Sequence, residues 1–550
     1  MSTATPTASR PSWGDRMLSG LEAAGNKLPQ PFNLFLWLIL VVGLIGTAAA
    51  LFGVTVQVPG AADPTVVRGL FTGEGLAWIT TTMGSNFINF PPLVTVLPIL
   101  LAIGIAEKTG FLSAAIRAAI GAAPRWLLPY MVGFLGVIGS IMADSVFVIL
   151  PPLAALAFKA VGRHPVAGLL GGFAAAGAGY STAIFPTSLD ALFAGITNAV
   201  LPTVPTVQAA AAPVNPVSNY YFNIVSSILL SLAAGWIIDK IIEPRMHRTH
   251  VPTEEHVVDL GEDQAEGDGV LTFDDEGTEV TVDTSAEVEH ALTEDERRGL
   301  KAGGIATLVT ALVVLGAVLL PNSPWRNEQG EFLPRSPLLS SIVFIVFILF
   351  AVGGYVYGRA SKSIKGFNDV PRLMGLALKD MIPFLVLAFV MGNFIALFNW
   401  SGLGSWIAVS GAEGLEATGM TGFGVIILFV LLCSLLNLFI ISGSAMWTIM
   451  AAVFVPMFGL VGLEPAFVQA AFRVGDSATQ VITPMNPYMI VLLTYLRKYQ
   501  PQAGFGSLAA GMVPFVVPFW VLWMAVLAVY YFFGLPLGPG NDIFIAELRP

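Results

Sequence analysis

Charged side chains are scarce in this chain of 550 residues: Lys, Arg, Asp and Glu make up 11%, against about 25% in an average soluble domain. That scarcity excludes an ordinary soluble enzyme. Cysteine is almost absent, and the single one, Cys433, rules out an intramolecular disulfide and any cysteine metal cluster. The histidines His164, His247, His250, His256 and His290 lack ligand-like spacing, so no metal centre is expected from them. All five also fall outside the apolar runs, which leaves an intramembrane hydrolase without its base. There is no Gly-x-Ser-x-Gly, no His-Glu-x-x-His and no Walker loop, so hydrolytic chemistry and ATP-driven work within the chain are excluded. Lys and Arg stand singly at the ends of apolar runs rather than in basic patches with aromatics, which argues against nucleic-acid binding.

What is abundant is apolar: 55% of the residues, with a mean hydropathy of +0.76. The apolar residues come in repeated runs of about 20, the length a helix needs to cross roughly 30 Å of hydrocarbon. The expected fold is therefore an all-α polytopic membrane protein. Residues 1–31 are polar and lack the apolar core of a cleavable signal, so the first run, Phe32 to Gly53, reads as a retained membrane helix. Two segments, 126–161 and 420–460, are too long for one crossing and are interrupted by Gly139-Ser140-Ile141-Met142-Ala143-Asp144-Ser145 and by Ser442-Gly443-Ser444-Ala445-Met446-Trp447. Irregular backbone at membrane depth survives only inside protein or beside a water-filled cavity. Both segments therefore read as re-entrant hairpins, giving nine transmembrane helices and two hairpins.

Charge supports that count. With a cytoplasmic N-terminus, 21 of the 26 Lys and Arg lie at cytoplasmic ends, as the positive-inside rule requires. Arg68, Arg326, Arg335 and Arg549 fall outside, and Arg473 falls within a span. The net charge of -10 belongs to one loop, because 17 acidic and no basic residues lie between Glu254 and Glu296. That loop reads as a solvated connector, with a short hairpin around Glu279 to Val282 as the alternative.

The chain then divides into a cytoplasmic N-terminal segment (1–31), scaffold helices with an interfacial helix (32–122), and a first repeat of hairpin and broken helix (123–200). A scaffold helix (201–242), the acidic cytoplasmic loop (243–299) and further scaffold helices (300–419) follow. The second repeat (420–496) and a last helix with the C-terminal tail (497–550) complete it.

The repeats rest on two matches. Gly139-Ser140 with Pro152 pairs with Gly443-Ser444 and Pro456, each proline thirteen residues after its glycine. Gly179-Tyr180-Ser181 with Pro186 pairs with Gly475-Asp476-Ser477 and Pro484. The charge topology makes the repeats inverted, and inverted repeats with paired broken helices point to a secondary transporter with a midplane site.

An ionisable group at mid-bilayer costs at least about 2.5 kcal/mol on the insertion scale, which singles out Asp144, Asp190, Arg473 and Asp476. Asp144 and Asp190 either face a polar centre or close a hairpin tip and cap a half-helix. Arg473 and Asp476, three apart, form either an internal ion pair or a site in which Arg473 meets a substrate carboxylate and Asp476 binds a coupling cation. Asn437 supplies a further oxygen or an interhelical hydrogen bond. Trp447, at the second tip, stacks on an aromatic substrate or packs in the core.

With these residues in hand, the sequence resembles the p-aminobenzoyl-glutamate transporter (AbgT) family, within the ion transporter superfamily. The likeness runs through Gly25-Asn26-Lys27-Leu28-Pro29, Ile105-Ala106-Glu107-Lys108-Thr109-Gly110, the first tip through Pro152, Ala178 to Thr197, Ser442 to Trp447 and Phe472 to Tyr488. The resemblance implies a homodimer in the bacterial inner membrane with a cytoplasm-facing cavity. It also implies transport of p-aminobenzoyl-glutamate, export of sulfonamide antimetabolites, and coupling to Na⁺ or H⁺. It implies substrate-binding roles for Asp190, Ser444, Trp447, Pro465, Arg473 and Pro484, and a Na⁺ site at Asn437 and Asp476. One departure stands out: after Gly179-Tyr180-Ser181 the family carries an Asn two residues on and a Gly-Thr-Thr-Asp end, whereas this chain has Ala183 and Pro186-Thr187-Ser188-Leu189-Asp190. The alternative within the same architecture is an Na⁺- or H⁺-coupled dicarboxylate or short-chain fatty acid carrier.

Overall fold

A computed structural model of the protein describes residues 29–59, 63–142, 144–249, 251–253, 269–273, 279–283, 292–333, 335–483 and 486–548. Helix α1 (Pro31–Leu51) leads through a two-strand ribbon, Thr55–Val56 against Thr65–Val66, into α2 (Gly73–Ile88), α3 (Pro91–Lys108) and α4 (Phe111–Ala122). The first repeat comprises α5 (Leu128–Val137) with a 3₁₀ turn Ile138–Met142, then α6 (Ser145–Ala160), α7 (Pro165–Ala178) and α8 (Ser188–Val200). Helix α9 (Tyr220–Ile237) continues through a π-helical turn, Ile238–Ile242, to Arg248. Then come α10 (Glu294–Leu319), α11 (Ile342–Ala360), α12 (Asp369–Lys379), α13 (Ile382–Trp400) and α14 (Leu403–Ala417). The second repeat is α15 (Phe423–Leu436), α16 (Gly443–Leu460), α17 (Pro465–Ala478) and α18 (Tyr488–Tyr499), and α19 (Phe505–Phe533) ends the helical body.

Seven of the expected spans are helical stretches long and apolar enough to cross a membrane, among the described residues, the second of them stepping from α2 to α3 at Asn89 and Phe90. The other two are each cut by a break, 179–187 and 479–487. Within the acidic loop, Gly269–Phe273 pairs antiparallel with Glu279–Asp283, Val270 opposite Val282, so the short hairpin is present. The rest of residues 254–291 in that loop lies outside the described residues.

The helices of the two repeats coincide when the chain is shifted by 300 residues. Helices α6 and α16 end at Ala160 and Leu460, α7 and α17 run over 165–178 and 465–478, and α8 and α18 begin at Ser188 and Tyr488. The corner between them reads Phe-x-x-Val-Gly-x-x-Pro twice, Phe158 to Pro165 and Phe458 to Pro465. Gly162 and Gly462 take positive φ (70° and 87°). The following N–H reaches back to Phe158 O at 2.8 Å in one corner and to Phe458 O at 3.0 Å in the other. This is a glycine-terminated helix end, followed in both copies by proline at the first position of the next helix, where its missing N–H loses no hydrogen bond. The register read from sequence is therefore corrected by one turn at each match: Gly139 lies in the turn ending α5's arm while Gly443 opens α16, and Gly179 corresponds to Thr479 rather than to Gly475.

The hairpins open at opposite ends. At hairpin 1's open end, Arg125 donates to Gly162 O, and buried Arg163 pairs with Asp239 and Glu243. The π-helical turn in α9's last turns contains Asp239 and ends just before Glu243. Hairpin 2's open end meets α19 through Phe423 on Tyr531 (5.0 Å) and is covered by the C-terminal tail, where Leu463 bridges to Phe544. Inside, α7 and α17, with α8, sit at the centre of one continuous apolar core.

Candidate functional site

Each hairpin tip holds the break of its own repeat. At the first, the Tyr180 hydroxyl donates to Asp144 (3.2 Å), and Ser140 donates to Thr182 O (3.5 Å). At the second, the Thr479 and Thr483 hydroxyls donate to Ser434 O and Leu438 O (3.0 and 2.8 Å). Asn437 donates its amide to Asp476 O and to Thr479 Oγ1. Its Oδ1 is buried and receives no donor among the described residues.

The two breaks then meet. Arg473 reaches out of the second repeat to Asp190 of the first, Nη2 to Oδ1 at 2.8 Å. Its Nη1 donates to Ser181 O (2.7 Å), its Nε donates to Asn219 Oδ1 (3.2 Å), and its guanidinium lies over the Phe193 ring at 5.1 Å. Ser181 donates its hydroxyl to Asp476 Oδ2 (3.1 Å) and its N–H to Ser477 Oγ (3.3 Å). Of Asp190, Asn437, Trp447, Arg473 and Asp476, none is more than 3% exposed, a depth at which an unpaired charge would be prohibitive.

Local sequence explains these positions. Thr187-Ser188-Leu189-Asp190 is a capping box at the start of α8: Thr187 Oγ1 accepts from Asp190 N–H, while Asp190 Oδ2 accepts from Thr187 N–H at 2.7 Å and from its hydroxyl at 2.9 Å. Asn223 donates to Asp190 Oδ1 at 2.9 Å. The capping role weighed from sequence is thus present together with an ion pair. Asp476 sits in the last turn of α17, where the helix dipole disfavours an anion. Its carboxylate lies instead against the first turn of α16, where a Cβ on Gly443 would come within 3.1 Å of Oδ2. Glycines make that approach possible, and a Cβ on Gly475 would lie 2.4 Å from Cys433 Cβ.

The partner of Arg473 differs from the one the three-residue spacing suggests: the ion pair runs between the repeats, to Asp190. Trp447 is fully buried, donating Nε1–H to Phe193 O and Thr197 Oγ1 (both 3.2 Å) with its ring 4.6 Å from Phe472. Ser444 stands beside Gly443 at the start of α16, its hydroxyl 3.1 Å from that of Ser442. Pro465 is not gathered with these residues. It opens α17 at the corner, two helical turns (about 12 Å) before Arg473. Pro484 lies outside the described residues. Among the described residues no group of three or more His, Cys, Asp or Glu is placed to hold a metal.

Four contributors were not singled out as site residues from the sequence: Ser181, Asn219, Asn223 and Gln469. Gln469 donates to Asn219 Oδ1 (2.9 Å) and accepts from Thr197 (2.8 Å), so a buried polar chain runs from Trp447 to Asp190. Their signal was weak because uncharged polar residues are ordinary in membrane helices.

At the end of the molecule where hairpin 2 opens, Glu464 precedes Pro465 and accepts from Ala212 N–H with both oxygens (3.1 and 3.3 Å). Burial pushes its carboxyl up to about 7. At the corresponding corner of the other repeat, burial lowers the His164 imidazole; its Nε2 meets Val251 O at 3.0 Å.

Comparison with known proteins gives the same answer throughout the chain. Residues 16–268 and 273–545 match the profile of the "AbgT putative transporter family". The p-aminobenzoyl-glutamate transport protein of Escherichia coli K12 is 35% identical over 534 residues, covering 96% of this chain and 97% of that one. Among solved structures, the YdaH transporter of Alcanivorax borkumensis, described as having an unusual topology, superimposes with a TM-score of 0.81 at 32% identity. The match covers 93% of this chain and all of that one. MtrF of Neisseria gonorrhoeae, described as illuminating a class of antimetabolite efflux pumps, gives 0.82 at 34% identity, covering 96% of this chain and all of that one.

Proposed function

The chain belongs to the AbgT family, a transporter rather than an enzyme, and from that premise we propose that it is an ion-coupled secondary carrier of p-aminobenzoyl-glutamate or a related aromatic amide bearing carboxylates. The observation that carries this reading is the junction of the two breaks, where a cationic side chain and a carboxylate lie fully buried and are bridged by Ser181. The curated relative's name supports the substrate, and the solved efflux pump's description supports antimetabolites as further cargo.

A substrate carboxylate is recognised by Arg473 in exchange for Asp190, which occupies the guanidinium between cycles. The guanidinium fork suits that exchange because it can take either carboxylate through parallel N–H donors. Trp447 and Ser444, on α16, shape the aromatic side when hairpin 2 moves. The coupling ion, Na⁺ or H⁺, acts at Asp476. Asn437 Oδ1 fits a Na⁺ ligand because it is a buried carbonyl oxygen with no donor, and a hard cation takes oxygens.

The protein works as a homodimer in the bacterial inner membrane with its N-terminus cytoplasmic. That orientation puts the Arg163, Asp239 and Glu243 cluster inside and the C-terminal tail outside. The direction of net transport follows the imposed gradients. The test is accumulation of labelled p-aminobenzoyl-glutamate in proteoliposomes under a Na⁺ gradient, a pH gradient or neither, comparing the parent with Asp476→Asn. Gradient-driven accumulation abolished in the variant is expected. Gradient-independent behaviour of the parent would refute coupling, and absence of uptake by folded dimer would refute the substrate.

A further inference from the structure

Among the described residues, Ser181 is the one whose groups hydrogen-bond to the side chains of both Arg473 and Asp476. Its carbonyl accepts from Arg473 (2.7 Å), its hydroxyl donates to Asp476 (3.1 Å) and its N–H donates to Ser477 (3.3 Å). It is 1% exposed. It also lies in an unwound stretch between α7 and α8, so its backbone is free of the helical ladder that would otherwise fix its carbonyl. We propose that Ser181 is the positioning residue that couples ion to substrate. Its hydroxyl reads the state of Asp476, and its carbonyl transmits that state to the guanidinium of Arg473. This rests on the reading of the chain as an ion-coupled carrier and adds the residue through which the coupling passes.

The physical argument concerns one acceptor. With Asp476 ionised and free of cation, the Ser181 O–H is held to its carboxylate by a charge-assisted hydrogen bond. A cation at Asp476 draws electron density from that oxygen and weakens the bond. The break is then less firmly held, and with it the carbonyl that supports Arg473 in its pairing with Asp190. Arg473 becomes easier to transfer from Asp190 to a substrate carboxylate, so ion binding favours substrate binding. By linkage the reverse holds equally. Among the described residues no other residue in the site hydrogen-bonds to the side chains of both Arg473 and Asp476. Asn219 and Asp190 touch only the arginine, whereas Asn437 touches only the Asp476 backbone and Thr479.

The experiment measures binding of labelled p-aminobenzoyl-glutamate to the purified full chain at fixed pH with and without Na⁺. The quantity read is the ratio of ion-free to ion-bound Kd within each variant, so that any general weakening cancels. The parent is expected to show a ratio well above one. Loss of a hydrogen bond to a charged group should cut that ratio at least about ten-fold in Ser181→Ala, while Ser181→Thr, which keeps the hydroxyl, retains most of it. A Ser181→Ala chain with the parent's ratio would overturn the inference and leave ion-coupled transport standing. One that binds no substrate in any condition would overturn it as well, because the residue would then serve the fold or the ligand directly. A parent whose Kd ignores Na⁺ would refute the Na⁺-coupled reading itself, and the role of Ser181 with it.

Discussion

Neutralising one side of the ion pair between the repeats should destabilise the protein by an amount that depends on which side is removed. In Asp190→Asn the Arg473 guanidinium loses its anion and keeps two neutral acceptors, Ser181 O and Asn219 Oδ1. In Arg473→Gln the Asp190 carboxylate keeps three donors, the Thr187 N–H and hydroxyl and the Asn223 amide. Breaking a buried pair from one side costs about 3–5 kcal/mol, and the better-solvated survivor places Arg473→Gln at the lower end of that range. The double variant buries no lone charge and should cost less than the sum of the singles by at least about 2 kcal/mol. Cys433 supplies the assay, since it is the chain's only cysteine and is fully buried. The rate at which a thiol reagent labels it reports opening of the surrounding core. Asp190→Asn should raise that rate by between about a hundred-fold and a few thousand-fold, with Arg473→Gln nearer the lower figure. A neutral Asp190→Asn, or singles that add in the double, would refute the view that this pair holds the repeats together.

Further outcomes follow from the same contacts. Glu464, with its carboxyl raised by burial to about 7 from 4.5, binds more protons in the folded than in the unfolded chain between those values. Stability should therefore be greatest at the acid side of that window and fall by up to about 3 kcal/mol as pH rises through 7. The same melting series on Glu464→Gln should be flat there, and an unchanged slope would assign the effect elsewhere. Gly475→Ala drives a methyl into Cys433 Cβ and Val430 O, which should cost about 1–3 kcal/mol. Adding Cys433→Gly should recover folded yield on size-exclusion chromatography, and failure to recover would shift the blame to the backbone contact. Trp447→Phe leaves Phe193 O and Thr197 Oγ1 without their indole donor, worth about 1–3 kcal/mol. A melting temperature equal to the parent's would show that water replaces it.

The sequence was most informative where physics leaves few options. Run lengths set the spans, because a polar stretch cannot cross hydrocarbon. Arg473, Asp476 and Asp190 stood out because ionisable groups at that depth require a reason. Thr187 three residues before Asp190 carries its cap openly. Pairing was hidden, since whether Arg473 meets Asp476 on its own helix or Asp190 some 280 residues earlier depends on how α17 and α8 cross. The repeat register slipped by one turn because small residues recur every turn in packed membrane helices, so a Gly-Ser match does not fix the phase. The corner motif Phe-x-x-Val-Gly-x-x-Pro does fix it, through the positive φ that only glycine adopts freely. Ser181 stood in the repeat match without being marked as a site residue, and Asn219, uncharged and alone, gave no advance signal.

The deep enclosure of Arg473, Asp190 and Asp476 also has a kinetic meaning. If these residues hold the transported solute, a colliding molecule reaches them only after a hairpin tip withdraws from its break, and the encounter frequency does not set the throughput. Turnover should track the frequency of tip withdrawal, a collective motion on the microsecond-to-second scale. It should therefore saturate at a ceiling governed by temperature and bilayer fluidity rather than by solute supply.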